Sequence, residues 1–70
     1  MSNSVYKIIE VVGTSDVSFG DAAKAAVETA AQSLKDLRVA EVKELDMKIE
    51  NGKVVAYRAK VSLSFKYEVD

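Results

Sequence analysis

From Lys53 to Asp70 the chain alternates with a period of two. Val55, Tyr57, Ala59, Val61, Leu63, Phe65, Tyr67 and Val69 fall between mostly polar Arg58, Lys60, Ser62, Ser64, Lys66 and Glu68. That pattern belongs to a β-strand with one buried face. Strands of ordinary domains stop at about 5–6 residues, so a strand this long outreaches whatever core its own chain can build. Further copies of the chain are expected to cover the remainder.

The length sharpens this expectation. Seventy residues make one domain, at a size where a single core supplies only about 3–5 kcal/mol and small proteins lean on disulfides, metals or partner chains. Disulfides are excluded, since there is no cysteine; there is also no histidine, proline or tryptophan. Thiolate and imidazole metal sites, and Cys/His or Ser/His/Asp catalytic groups, are excluded with them, leaving hard oxygen-ligand chemistry. Ten basic residues against eleven acidic ones give a formal charge of −1. No basic cluster stands ready to neutralise a row of phosphates, so nucleic acid is not an expected partner. The apolar runs are too short to span a membrane, and Met1-Ser2-Asn3-Ser4 lacks the character of a signal peptide. A cytoplasmic protein is expected.

Taken in order, Val5 to Val12 is rich in β-branched residues with apolar side chains on both parities, as in a strand covered on both faces. Gly13-Thr14-Ser15-Asp16 is expected to break it. Ser18 then reads as an N-cap, with Asp21 three residues on as a short-armed capping box. Phe19, Ala22, Ala23, Ala26, Val27, Ala30, Leu34 and Leu37 recur at three- and four-residue spacing, predicting one amphipathic helix of about five turns. Its alanines make a thin stripe that lets a sheet approach. A second strand is predicted over Arg38 to Glu50, with mixed polarity near Lys43 that implies a bend or a second buried face.

Glu50-Asn51-Gly52-Lys53 closes a hairpin, because Asn and Gly accept positive φ. A two-residue type I′ loop pairs Ile49 with Val54 and puts Leu45 and Met47 on the face opposite Tyr57. A three-residue loop with a bulge at Gly52 pairs Lys48 with Val54, setting Met47 beside Val55 and Leu45 beside Tyr57; this register is favoured because it keeps the apolar set on one side. The fold class is therefore α+β in the order β-α-β-β, a three-stranded antiparallel sheet wrapped around one helix, within a symmetric homo-oligomer.

Val5-Tyr6-Lys7, Val12-Gly13-Thr14-Ser15, the alanine-rich helix, Ala40-Glu41-Val42, Tyr57 and Val61-Ser62-Leu63-Ser64-Phe65 occur in an order and spacing that resemble the dodecins. The resemblance covers nearly the whole chain. It implies a hollow twelve-subunit shell of cubic symmetry that binds or stores a small ligand or ion without turning it over. Flavin-binding dodecins stack isoalloxazine rings between subunits using a tryptophan and a glutamine. Matched on Glu41-Val42 and on Tyr57, those positions are Val39 and Arg58 here. A branched aliphatic offers no flat stacking surface, and a guanidinium cannot accept the ring's hydrogen bond, although it can hold a phosphate. Flavin, as riboflavin or FMN, is thus disfavoured.

The run Arg38-Val39-Ala40, Asp46-Met47, Tyr57-Arg58 and Ser64-Phe65-Lys66 is similar instead to the calcium dodecins, for which calcium is the bound species. Glu44, Asp46 and Glu50 share one parity of the second strand and are the metal candidates. Calcium takes about 6–8 oxygens, so several copies would have to converge; the alternative is a solvated charged face with Lys48 and Lys53 in reach. A purely structural oligomer without a small ligand is the remaining reading. No nucleophile-and-base pair supports an enzyme, and Tyr6, Tyr57 and Tyr67 are explained by packing in strands.

Overall fold

The computed structural model describes residues 3–67. Its elements run β1 (Tyr6–Ser15), α1 (Phe19–Ala31), β2 (Leu37–Glu50) and β3 (Lys53–Lys66). The strands form one antiparallel sheet in the order β1-β3-β2. The long last strand lies in the middle and the other two are edges. The expected alternation of Val69 lies outside the described residues.

Helix α1 packs on one face of the sheet, over β1 and β3. From Tyr57 onward the odd-numbered side chains of β3 point toward it, and Ala59, Val61 and Leu63 are fully buried there with Ala22 and nearly buried Ala26. Pairing carries the same face across β1, because Val11 opposes Val61 and Ile9 opposes Leu63. Phe19 closes the end of this core edge-to-face on Tyr57, with ring centroids 5.0 Å apart.

Strand β1 does not break at Gly13; it continues through Thr14 and Ser15. The reason is contact with the helix, since a Cβ on Gly13 would lie 2.1 Å from the Ala22 carbonyl oxygen. Only glycine lets strand and helix approach this closely. The turn begins later, and Ser15 builds it by accepting from the Val17 N–H at 2.9 Å and donating to the Asp21 carboxylate at 2.8 Å. Ser18 is the N-cap as expected, its hydroxyl accepting from the Asp21 N–H at 3.0 Å.

The helix has 13 residues, so the five expected turns reduce to about 3.6. Beyond Ala31 the N–H groups of Ser33 and Leu34 both fall back on the Ala30 carbonyl, at 3.1 and 2.9 Å, and Asp36 takes a φ of 60°. The chain reverses there. Leu37 keeps helical spacing in the sequence, yet it packs against the core from the start of β2.

The hairpin corrects the favoured register. Asn51 and Gly52 both have positive φ, 52° and 75°, and Ile49 pairs with Val54, as a two-residue type I′ loop requires. The bulge lies one step later, within β3: Lys48 pairs with Ala56, leaving Val55 as the extra residue. Met47 consequently opposes Tyr57 and Leu45 opposes Ala59. The bulge restores the parity that the straight two-residue loop would have lost, so the apolar residues share Tyr57's face with neighbours two residues further along. A second irregularity between Val42 and Glu44 accounts for the mixed pattern around Lys43.

The helix leaves much of this face bare. Val42, Leu45, Met47, Ile49 and Val54 lie on the helix side, all exposed. On the opposite face Tyr6, Ile8 and Val12 of β1 are also exposed, so the double coverage expected for that strand is not supplied within one protomer. The Cα radius of gyration is 14.6 Å and the longest extent 55 Å, against about 11 Å expected for the radius of gyration of a compact chain of this length. Among the described residues no helix is long and apolar enough to cross a membrane.

Candidate functional site on the open sheet face

All the candidate site residues lie on β2 and β3. On the face away from the helix, β3 presents Ala56, Arg58, Lys60, Ser62 and Ser64, while β2 presents Lys48, Asp46, Glu44, Glu41 and Val39 opposite them. Strand β1 completes the rows with Ile8, Glu10, Val12 and Thr14. The shared parity expected of Glu44, Asp46 and Glu50 is thus realised as a shared face. Their environments differ.

Asp46 sits directly across from Arg58. The guanidinium grips it with two parallel bonds, Nε donating to Oδ1 at 2.7 Å and Nη2 donating to Oδ2 at 3.0 Å. This fork matches carboxylate geometry and makes the shortest ion pair among the described residues. The hydrogen bond from Arg58 holds the Asp46 carboxyl below the usual carboxylate value; partial desolvation opposes it and the guanidinium charge adds to it. The same bond and charge raise Arg58 above its ordinary value. Asp46 occupies the Nε/Nη2 edge of the Arg58 guanidinium.

Glu50 is paired with Lys48 on its own strand at 3.5 Å. Glu44 opposes Lys60 in the register, but the Lys60 ammonium turns to Glu10 on β1, at 3.7 Å. Among the described residues no three carboxylates stand close enough together to hold a metal ion. The Glu10–Lys60 pair was not legible in the sequence. Their proximity depends on the β1–β3 pairing, which juxtaposes residues 50 apart in the chain.

Val39 is exposed at 61% on the same face as Arg58. It pairs with Ser64, six residues along β3 from Arg58, which is roughly 20 Å at the rise of a strand. One protomer does not bring the two together. Val39 instead edges a groove of about 160 Å³ between α1 and β2, with Val27, Leu37 and Leu63. A larger groove of about 480 Å³ runs along the other side of the helix, between α1 and β1.

The dodecin family model matches residues 5–68. The chain is 46% identical over 63 residues to the calcium dodecin of Mycobacterium tuberculosis, covering 90% of this chain and 89% of that protein. Among solved structures, the dodecin from Streptomyces coelicolor superposes with a TM-score of 0.91 at 37% identity, over the whole of both chains. A structure of the M. tuberculosis calcium dodecin, described as a calcium-chelating immunodominant antigen with a novel calcium-binding site, superposes with a TM-score of 0.81 at 47% identity over 93% of each chain. With the strand order, the helix position and the sequence all in agreement, this chain belongs to the dodecin family.

Proposed function

We propose that this chain is a non-enzymatic dodecin of the calcium type, a homododecameric shell that binds or stores calcium at sites shared between subunits. The similarity to a calcium dodecin over nine-tenths of the chain carries the reading. The donor set is compatible with it, because the chain offers no sulfur ligand except methionine and no imidazole, and Glu44, Asp46 and Glu50 are oxygen donors on one open face. Calcium prefers such hard oxygen ligands and needs about 6–8 of them. Carboxylates spaced along one strand meet that number only where a symmetry axis gathers several copies. Glu44 and Glu50 are proposed as the ligands, and Asp46 as a ligand only where calcium displaces Arg58. When bound, calcium would supply cross-links between subunits rather than chemistry on a substrate.

The second ligand class, flavin, has less support. Val39 supplies no aromatic plane, and Arg58, a donor-only group, is already committed through Nε and Nη2 to Asp46. Titration of chelator-treated protein with calcium, followed by calorimetry and native mass spectrometry, tests the reading. Twelve-subunit particles that retain calcium are expected, with weaker binding in Glu44→Gln. A dodecamer that binds no calcium, and instead quenches riboflavin fluorescence, would overturn the ligand assignment.

A further inference from the structure

Charge on the sheet is shared out unevenly. Four cations of β2 and β3 are committed in ion pairs: Arg58 to Asp46 at 2.7 Å, Lys48 to Glu50 at 3.5 Å, Lys43 to Glu41 at 3.8 Å and Lys60 to Glu10 at 3.7 Å. Strand β2 carries the carboxylates of Glu41, Glu44, Asp46 and Glu50. Among the described residues, Glu44 alone of these is left without an ion-pair partner.

Strand pairing by itself would give the opposite result. Lys60 lies directly across from Glu44, the arrangement in which opposite charges attract between antiparallel strands. Its neighbour on the other side of that row is apolar Val12. Glu10 lies two residues further along β1, opposite Ser62, so it meets Lys60 only on the diagonal. The ammonium nevertheless takes the diagonal partner. A lysine offers one compact charge on a flexible stem, and while Glu10 holds that charge the Glu44 carboxylate stays open.

We infer that Glu10 is a positioning residue for cation binding: by drawing Lys60 toward β1, it keeps Glu44 free to ligate calcium. The inference rests on the calcium reading and deepens it, because it adds to the ligand strand a group on β1 that acts through Lys60 and not on the ion. A carboxylate already held by an ammonium has to be released before a metal can take it, and that release lowers the affinity. The side chains of Lys60 and Glu10 are 42% and 50% exposed, so solvent screens the competition. An exposed pair of this kind corresponds to about a 1.5- to 5-fold change at each Glu44, compounded where several copies share one ion.

The test is a double-mutant cycle on chelator-treated protein, read by calorimetric titration with calcium chloride. Assembly of each variant is first confirmed by native mass spectrometry. Glu10→Gln is expected to weaken calcium binding by about 1.5- to 5-fold or more, and Lys60→Gln to strengthen it. In the Lys60→Gln background, Glu10→Gln should lose most of its effect, because no ammonium remains to be redirected. Equal weakening in both backgrounds would mean that Glu10 acts only through its charge at a distance, and overturns the inference.

A second measurement needs no calcium. A crystal structure of calcium-free Glu10→Gln is expected to show the Lys60 ammonium on the Glu44 carboxylate. An ammonium directed elsewhere, in a protein that still binds calcium, overturns the inference and leaves the proposed function standing. A wild-type shell that takes up no calcium overturns the proposed function, and this inference with it.

Discussion

Strand β3 passes through two environments. At its C-terminal end Ala59, Val61 and Leu63 are wholly buried under α1, while at its N-terminal end Val54, and Met47 opposite Tyr57 on β2, are about half exposed. The alternation is regular from Tyr57 onward, and in the N-terminal stretch the bulge at Val55 keeps the apolar residues on the same side. What differs is the cover. The helix is 13 residues long, roughly 20 Å at its rise per residue, and the hairpin reaches well past it. Periodicity thus specifies which face is apolar, whereas the length of the neighbouring element decides how much of that face one protomer can hide.

Substitutions at the two ends should separate these roles. Leu63→Ala, in the covered end, is expected to cost about 2–5 kcal/mol, read as a lower urea midpoint at fixed protein concentration. A loss below about 1 kcal/mol would show that the covered end is not the centre of stability. Gly13→Ala tests the opposite defect, overpacking, because the new methyl meets backbone at the Ala22 carbonyl; about 1–3 kcal/mol is expected. Gly20→Ala is its control, with only the Ser18 hydroxyl within 4.0 Å, and should be neutral or slightly stabilising.

At the hairpin tip, Gly52→Ala meets no atom within 4 Å but must hold a φ of +75°. The cost is conformational only, about 1–2 kcal/mol, and a loss of assembly larger than the loss of secondary structure would mean the hairpin's twist matters to assembly. The smallest effect concerns the open face. Because Arg58 lowers the Asp46 carboxyl, their bond contributes fully above the ordinary aspartate value of about 3.9. The contribution fades as pH falls through that value to the lowered one in the folded protein. Asp46→Asn should therefore flatten the acid limb of the stability curve and leave its shape near neutrality unchanged; an unaltered acid limb would show that the fork forms only intermittently in solution.

Much of the fold was legible because it rests on local chemistry. Ser18 caps the helix since a hydroxyl there can reach the Asp21 N–H, and Asn51-Gly52 turns the chain because both accept positive φ. The misreadings came from non-local competition. Gly13-Thr14-Ser15 looks like a turn, but the helix presses on Gly13 and β3 pairs all three residues. Leu34 and Leu37 extend the helical spacing, but the chain has already turned at Ser33 and Asp36. The site was less legible than the fold. One parity of β2 named Glu44, Asp46 and Glu50, yet their different partners, Arg58 for one and Lys48 for another, follow from pairing across the sheet and from side-chain reach.

The amino-acid order alone settled the kinds of element, their succession, the apolar face of the long strand and the restriction to oxygen ligands, because each depends on residue type and spacing within a few neighbours. Only the tertiary structure decided where β1 ends, where the bulge falls, which carboxylate the arginine takes and how much apolar surface stays bare. Those outcomes depend on elements far apart in the chain competing for the same space, and no short-range pattern records that competition.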